Sequence, residues 1–151
     1  MNTRIVSMSD AHVSFDFFRD GGLQKTISLE MGINSLVSRF FKHEIPTEAD
    51  IEYAITEIED QLESRKELVH EGDEMLICRD SIVREAFGLD LNTEVILSIQ
   101  DVEDEFTKYA LLSMGQSPVL AQVAMNHEKY VTILIVREIL NHLKFLEITL
   151  K

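Results

Sequence analysis

The stretch Glu128–Leu143 leaves this chain little freedom. Tyr130, Val131, Ile133, Leu134, Ile135, Val136, Ile139, Leu140 and Leu143 place apolar groups nearly all round a helix of that length. A helix without a wet face has to be buried centrally, with the other elements built around it. The chain has 151 residues, 45% of them hydrophobic. One domain, 1–151, can then bury roughly two-thirds of the unfolded surface without disulfides or a metal. The single cysteine, Cys78, excludes an internal disulfide framework and fits a reducing compartment. No basic segment followed by an apolar block opens the chain, and the longest strongly apolar run, Tyr130–Val136, is far short of the ~20 residues that cross a bilayer. A cytoplasmic protein is expected.

A second helix is marked by its ends. Pro46 stops the preceding element, Thr47 is placed to cap, and Glu48 and Asp50 put negative charge in the first turn. Ile51, Ile55, Ile58 and Leu62 then form one apolar stripe with carboxylates opposite. The helix, about 47–66, is expected to lie on a sheet made by the N-terminal third. Thr3–Ser7, Val13–Phe18 and Leu23–Leu29 alternate as strands, and Asp20-Gly21-Gly22 supplies a hairpin turn. Leu68-Val69-His70 reads as a short buried parallel strand. Met75–Phe87 reads as a helix closed by Gly88, and Asp101–Met114 as a helix capped by Ser98 and closed by Gly115. Ser117-Pro118 opens another helix. Phe145–Leu150 ends as a strand with Leu146, Ile148 and Leu150 on one face.

The resulting order is β-β-β-α-α-β-α-α-α-α-β. Three antiparallel strands followed by helix-connected parallel strands make a ribonuclease H-like α/β arrangement.

Charge narrows the function. Between Glu44 and Glu74 twelve acids face only Arg65 and Lys66, which accounts for ten of the thirteen net negative charges. Nucleic acid and anionic membranes bind through cationic contacts, so neither is an expected partner. His12, His43, His70, His127 and His142 form no i,i+4 pair among themselves, no His-Glu-x-x-His and no pairing with cysteine, so no metal is expected. The carboxylates of His70-Glu71-Gly72-Asp73-Glu74 lack the length and spacing of a calcium loop. Ser7, Ser9 and Ser14 near His12 sit in no nucleophile elbow. Met31, Met75, Met114 and Met125 read as core fillers.

Ser28-Leu29-x-x-Gly32-x-x-x-Leu36-x-x-Arg39-Phe40, followed by Pro46-Thr47 and the acidic helix, resembles the exopolyphosphatase / guanosine pentaphosphate phosphohydrolase family, a branch of the actin-like ATPase superfold. Leu97-Ser98-x-x-Asp101-Val102-Glu103 is similar to its Leu-Ser-x-x-Glu-Leu-Glu helix start, and Val131–Leu150 to its penultimate helix and strand. The resemblance covers only the second lobe of the family's catalytic unit, so the first lobe and its catalytic carboxylate are expected to be missing.

The departures carry the functional expectation. Where the family has the glycine-rich Asp-Ile-Gly-Gly-Gly-Ser-Thr-Glu turn, this chain has Ser7-Met8-Ser9-Asp10-Ala11-His12-Val13-Ser14. Where it has a Gly-Gly-Thr turn, only Gly72 remains, between Glu71 and Asp73. Amide nests for phosphate need residues free to take positive φ. The resemblance therefore implies degenerate loops in which Asp10, His12, Ser14, His70, Gly72 and Asp73 are the remaining candidates for ligand binding. No catalytic residue and no cofactor are assigned. The expected function is a non-catalytic interaction or regulatory module that covers the missing-lobe surface by homodimerising or by binding another protein. The alternatives are a phosphohydrolase acting on polyphosphate or guanosine polyphosphates, completed in trans by another chain, and a small-ligand binder using a cleft near Gly72.

Overall fold

A computed structural model describes residues 2–151. Its first three strands, β1 (Asn2–Met8), β2 (Val13–Arg19) and β3 (Gly22–Leu29), are antiparallel neighbours. Arg19 pairs with Gly22, so Asp20 and Gly21 are the whole hairpin loop, and both take positive φ, 51° and 83°. That is the geometry whose twist matches the strands it joins.

The sheet continues with β4 (Glu74–Cys78) parallel to β1, β6 (Glu147–Leu150) parallel to β4, and β5 (Val95–Ser98) antiparallel to β6. The order across the six strands is β3-β2-β1-β4-β6-β5. Register makes one face continuous: Val6 and Met8 align with Phe15 and Val13, which align with Ile27 and Leu29, while Cys78 and Leu150 extend the row on the other side. All of these residues belong to the single buried core cluster.

Among the described residues six α-helices alternate with the strands: α1 (Ile33–Phe40), α2 (Glu48–Glu63), α3 (Ser81–Ala86), α4 (Ile99–Ser113), α5 (Pro118–Ala121) and α6 (His127–Leu143). The α6 helix is buried round nearly its whole circumference, and α1, α2, α3 and α4 all pack against it. The expectation of a central helix holds. Thr47 and Asp50 cap α2 reciprocally: Asp50 N–H donates to Thr47 Oγ1 at 3.1 Å, and Thr47 N–H donates to Asp50 Oδ2 at 3.0 Å. His43 Nδ1 lies 2.8 Å from the same carboxylate oxygen. Burial pushes the Asp50 carboxyl up, but the His43 and Thr47 hydrogen bonds outweigh it and hold it below its ordinary value. Ser98 and Asp101 repeat the capping arrangement at α4.

The opposite sheet face carries no residue of the main core cluster. Ile5, Ile77, Thr149 and Ile96 stand in one register row across β1, β4, β6 and β5, beside the Met75–Thr3–Phe18 row. Ile77 is buried yet lies outside the core cluster, and Ile96 is 55% exposed. The helices line one face; on the other, Ile77 and Thr149 are buried at the centre and Ile96 is exposed at the side.

Several expectations need correction. Lys66–Leu68 is a single 3-10 turn, and the strand expected at Leu68-Val69-His70 lies later, at β4. The expected helix Met75–Phe87 is β4 followed by the short α3. Leu76-Ile77-Cys78 is buried on both sides, so it shows neither alternation nor helical spacing. Strand β5 was not expected, and it inserts one β into the anticipated order, giving β-β-β-α-α-β-α-β-α-α-α-β. The closest backbone neighbours of α2 are α6 and α1, and its buried stripe runs through Ile51, Ala54, Ile58 and Leu62, with Ile55 only half-buried. Leu146 precedes β6 and is 79% exposed, and Met114 is exposed rather than a core filler. Among the described residues no helix is long and apolar enough to cross a membrane.

Candidate functional site

Parallel strands leave their carboxyl ends beside helix N-termini, where the open amides of an α/β protein ordinarily meet anions. Here that corner is the turn from β1 to β2, and it is closed. Ser9 N–H donates to His12 O at 2.9 Å, and His12 N–H donates to Ser9 Oγ at 3.1 Å. The carbonyls of the turn then face the start of α1: Ile33 N–H donates to Ser9 O at 2.9 Å and Ser35 N–H to Asp10 O at 3.1 Å. The Ser9, Ile33 and Ser35 amides are thus spent on the chain's own backbone, and the His12 amide on the Ser9 hydroxyl.

A carboxylate completes the closure. Asp80 follows β4 at the same end of the sheet, because β4 runs parallel to β1 with Cys78 opposite Val6. Its Oδ2 accepts a hydrogen bond from Met8 N–H at 2.7 Å. Asp10 and Asp80 thus place two acidic groups round this corner. His12 is exposed, with Nε2 3.6 Å from Glu30. Ser14 points along the helix-free face, its Oγ 3.2 Å from Ser28 Oγ.

The second group of candidate residues is elsewhere. Asn2 pairs with Glu74, so His70, Gly72 and Asp73 lie at the amino end of β1, about 20 Å from the Asp10 turn given the strand rise. The two degenerate loops do not form one cleft. Gly72 takes φ 73° in an exposed turn. His70 stacks on Phe145 with ring centroids 4.5 Å apart, and its Nδ1 lies 3.1 Å from Glu74.

Glu74 in turn takes two hydrogen bonds from Arg4, at 2.9 and 3.0 Å, and Arg4 also donates to Leu68 O. Burial lowers the Arg4 guanidinium pKa, against the raising pull of Glu74. Beside this network is an open depression of about 540 Å³ lined by Asp73, Glu74, Met75, Glu147 and Thr149 among others, with no lysine or arginine. Its acids suit it poorly to phosphate.

Two side-chain arrangements escape a reading of the sequence. One is Asp80, whose position depends on the true boundary of β4. The other joins α2 to α6, where His142 meets Glu59, Glu63 and Glu138. Glu59/Glu63 and Glu138/His142 are both i,i+4 pairs, a signal that a search for histidine and cysteine partners alone passes over.

No protein-family model matches the chain, and no curated protein matches it at a significant level. Solved structures do. A Ppx/GppA phosphatase of Aquifex aeolicus, described as the type II variant, superposes with a TM-score of 0.76 at 18% identity, covering 99% of this chain and 53% of that one. An exopolyphosphatase from Cytophaga hutchinsonii superposes with a TM-score of 0.60 at 16% identity, over 99% and 52% respectively. An exopolyphosphatase-like protein gives 0.66 at 13% identity, over 95% and 49%. The chain spans about half the length of each. At these identities what is shared is the fold, with β1–β3 leading into a helix-connected sheet: this chain has the ribonuclease H-like fold of a single lobe of the Ppx/GppA phosphatases.

Proposed function

We propose that this lobe does not cleave phosphate bonds and serves as an interaction or regulatory module on an exopolyphosphatase-type scaffold. The observation that supports this is the closed β1–β2 corner. Ser9 and Asp10 carbonyls occupy the Ile33 and Ser35 amides of α1, and the Asp80 carboxylate occupies Met8 N–H. A phosphate arriving there would find the described donors engaged and two acids in its path. Such a corner favours neither the ground state nor the charge that develops during phosphoryl transfer.

The surface for interaction is the helix-free sheet face, where Ile5, Met75 and Ile96 give accessible apolar groups beside the buried Ile77, within a polar border of Ser14, Asp16 and Thr26. A second copy of the chain or another protein covers it, in a reducing cytoplasm that suits the free, buried Cys78. The acidic α2 side excludes nucleic acid and anionic membrane as partners.

The rival reading, a phosphohydrolase completed in trans, draws on the shared fold. Phosphate release from polyphosphate and guanosine pentaphosphate, measured alongside light scattering at micromolar protein, separates the two. The expected result is no release, together with a dimer that Ile96→Asp dissociates or a protein complex that the same change weakens. Release that disappears in Asp80→Asn, or a strict monomer that captures nothing, would overturn the proposal.

A further inference from the structure

The α2–α6 seam holds a cluster that neither the fold nor the proposed function uses. His142 Nε2 lies 2.8 Å from Glu59 Oε2 and 3.4 Å from Glu138 Oε1, while His142 Nδ1 lies 3.4 Å from Glu63 Oε1. His142 Nε2 therefore faces two carboxylates at once. Glu138, whose side chain is only 4% exposed, turns Oε1 toward that nitrogen. Its other oxygen takes a hydrogen bond from Arg137 Nη1 at 2.9 Å, and Arg137 is shared with Glu103. Three carboxylates therefore converge on one imidazole, and positive charge is short at that point.

The donor spacing suits a small cation. Bonds of 2.0–2.1 Å in a tetrahedral site put adjacent ligand atoms about 3.3 Å apart. Ligand atoms of Glu59, Glu63 and His142 all lie within 4.8 Å of one another, so modest rotamer movement brings three of them to bonding distance. The donor set is one imidazole nitrogen and two carboxylate oxygens, which suits zinc and other borderline divalent ions rather than calcium or magnesium. Glu63 is 64% exposed, so the outer side stays open to water as a fourth ligand. Because Glu59 and Glu63 are one turn apart on α2 and His142 comes from the neighbouring α6, their positions rest on backbone that is already fixed.

We infer that Glu59, Glu63 and His142 bind one divalent zinc-type cation that ties α2 to α6, with Glu138 as the buried carboxylate beside His142 Nε2. The site is independent of the proposed loss of phosphate chemistry. Calorimetric titration of the metal-stripped full chain with zinc chloride tests it, with the melting temperature followed in parallel. The expected result is one equivalent bound and a raised Tm. His142→Ala should weaken binding on the order of 100-fold, a loss typical of removing a metal-site group. Glu63→Gln, at a largely exposed position where folding is not at stake, should weaken it at least tenfold. No binding below millimolar zinc, or equal affinity in wild type and both variants, would overturn the assignment.

Discussion

Gly32 lies flat against the Asp10–Ala11 peptide, so close that a Cβ there would fall 2.4 Å from the Ala11 amide nitrogen. Its φ of −153° is extended and open to any residue, so the position demands space rather than unusual conformation. Backbone atoms cannot rotate away as a side chain can. Gly32→Ala should therefore cost about 1–3 kcal/mol, toward the upper end, seen as a lower urea midpoint at unchanged slope. Wild-type stability in this variant would show that the Ser9–His12 turn shifts freely off α1.

Arg4 and Glu74 form a buried, doubly hydrogen-bonded pair, their side chains 3% and 9% exposed. Removing one partner strands the other. Glu74→Leu should cost about 3–5 kcal/mol, whereas Arg4→Met combined with Glu74→Leu should cost less than the sum of the two single changes. Chemical denaturation of the four proteins gives the coupling, and additive losses would contradict it.

Glu138 bears on pH. Burial pushes its carboxyl above the usual range, Arg137 and His142 pull it down, and Glu59 pushes it further up. With its folded pKa raised, the folded state holds the proton more tightly than the unfolded chain. Its contribution to stability is therefore fully present below the unfolded value near 4.3 and is lost as pH rises through the folded value. Glu138→Gln should gain stability relative to wild type between pH 4.5 and pH 7. Urea midpoints of both proteins across that range check the sign, and a difference that does not change with pH would refute it.

Cys78 is buried in β4, and burial pushes its thiol up to about 12. Thiolate is the reactive form. At pH 8 the native protein should resist iodoacetamide, reacting only at the rate at which β4 opens, and urea should speed labelling in step with unfolding. Fast labelling of native protein would mean that the strand is loosely held.

What could be read from the chain follows from how local each signal is. The Asp20-Gly21 hairpin, the Thr47–Asp50 and Ser98–Asp101 caps and the burial of Glu128–Leu143 each depend on a few neighbouring residues, and all appear as expected. β4 did not, because a strand buried on both faces has no alternation to mark it. That boundary error carried into the candidate site. With the strand placed at Leu68-Val69-His70, Gly72 looked like the turn at its carboxyl end, when it lies at the amino end of the real strand and Asp80 holds the other position. The Glu59–Glu63–Glu138–His142 cluster was hidden for a different reason. Its two halves are some eighty residues apart and meet only when α2 packs along α6.

Strand order has a consequence for synthesis. β6 is sixth in the chain yet lies inside the sheet, between β4 and β5. As a ribosome extrudes the polypeptide, β5 leaves the exit tunnel long before Glu147–Leu150, its only hydrogen-bonding neighbour. The nascent N-terminal meander can therefore assemble early. Closure of the whole sheet has to wait for translation to pass Leu150, and until then a chaperone would find the β4 edge uncovered.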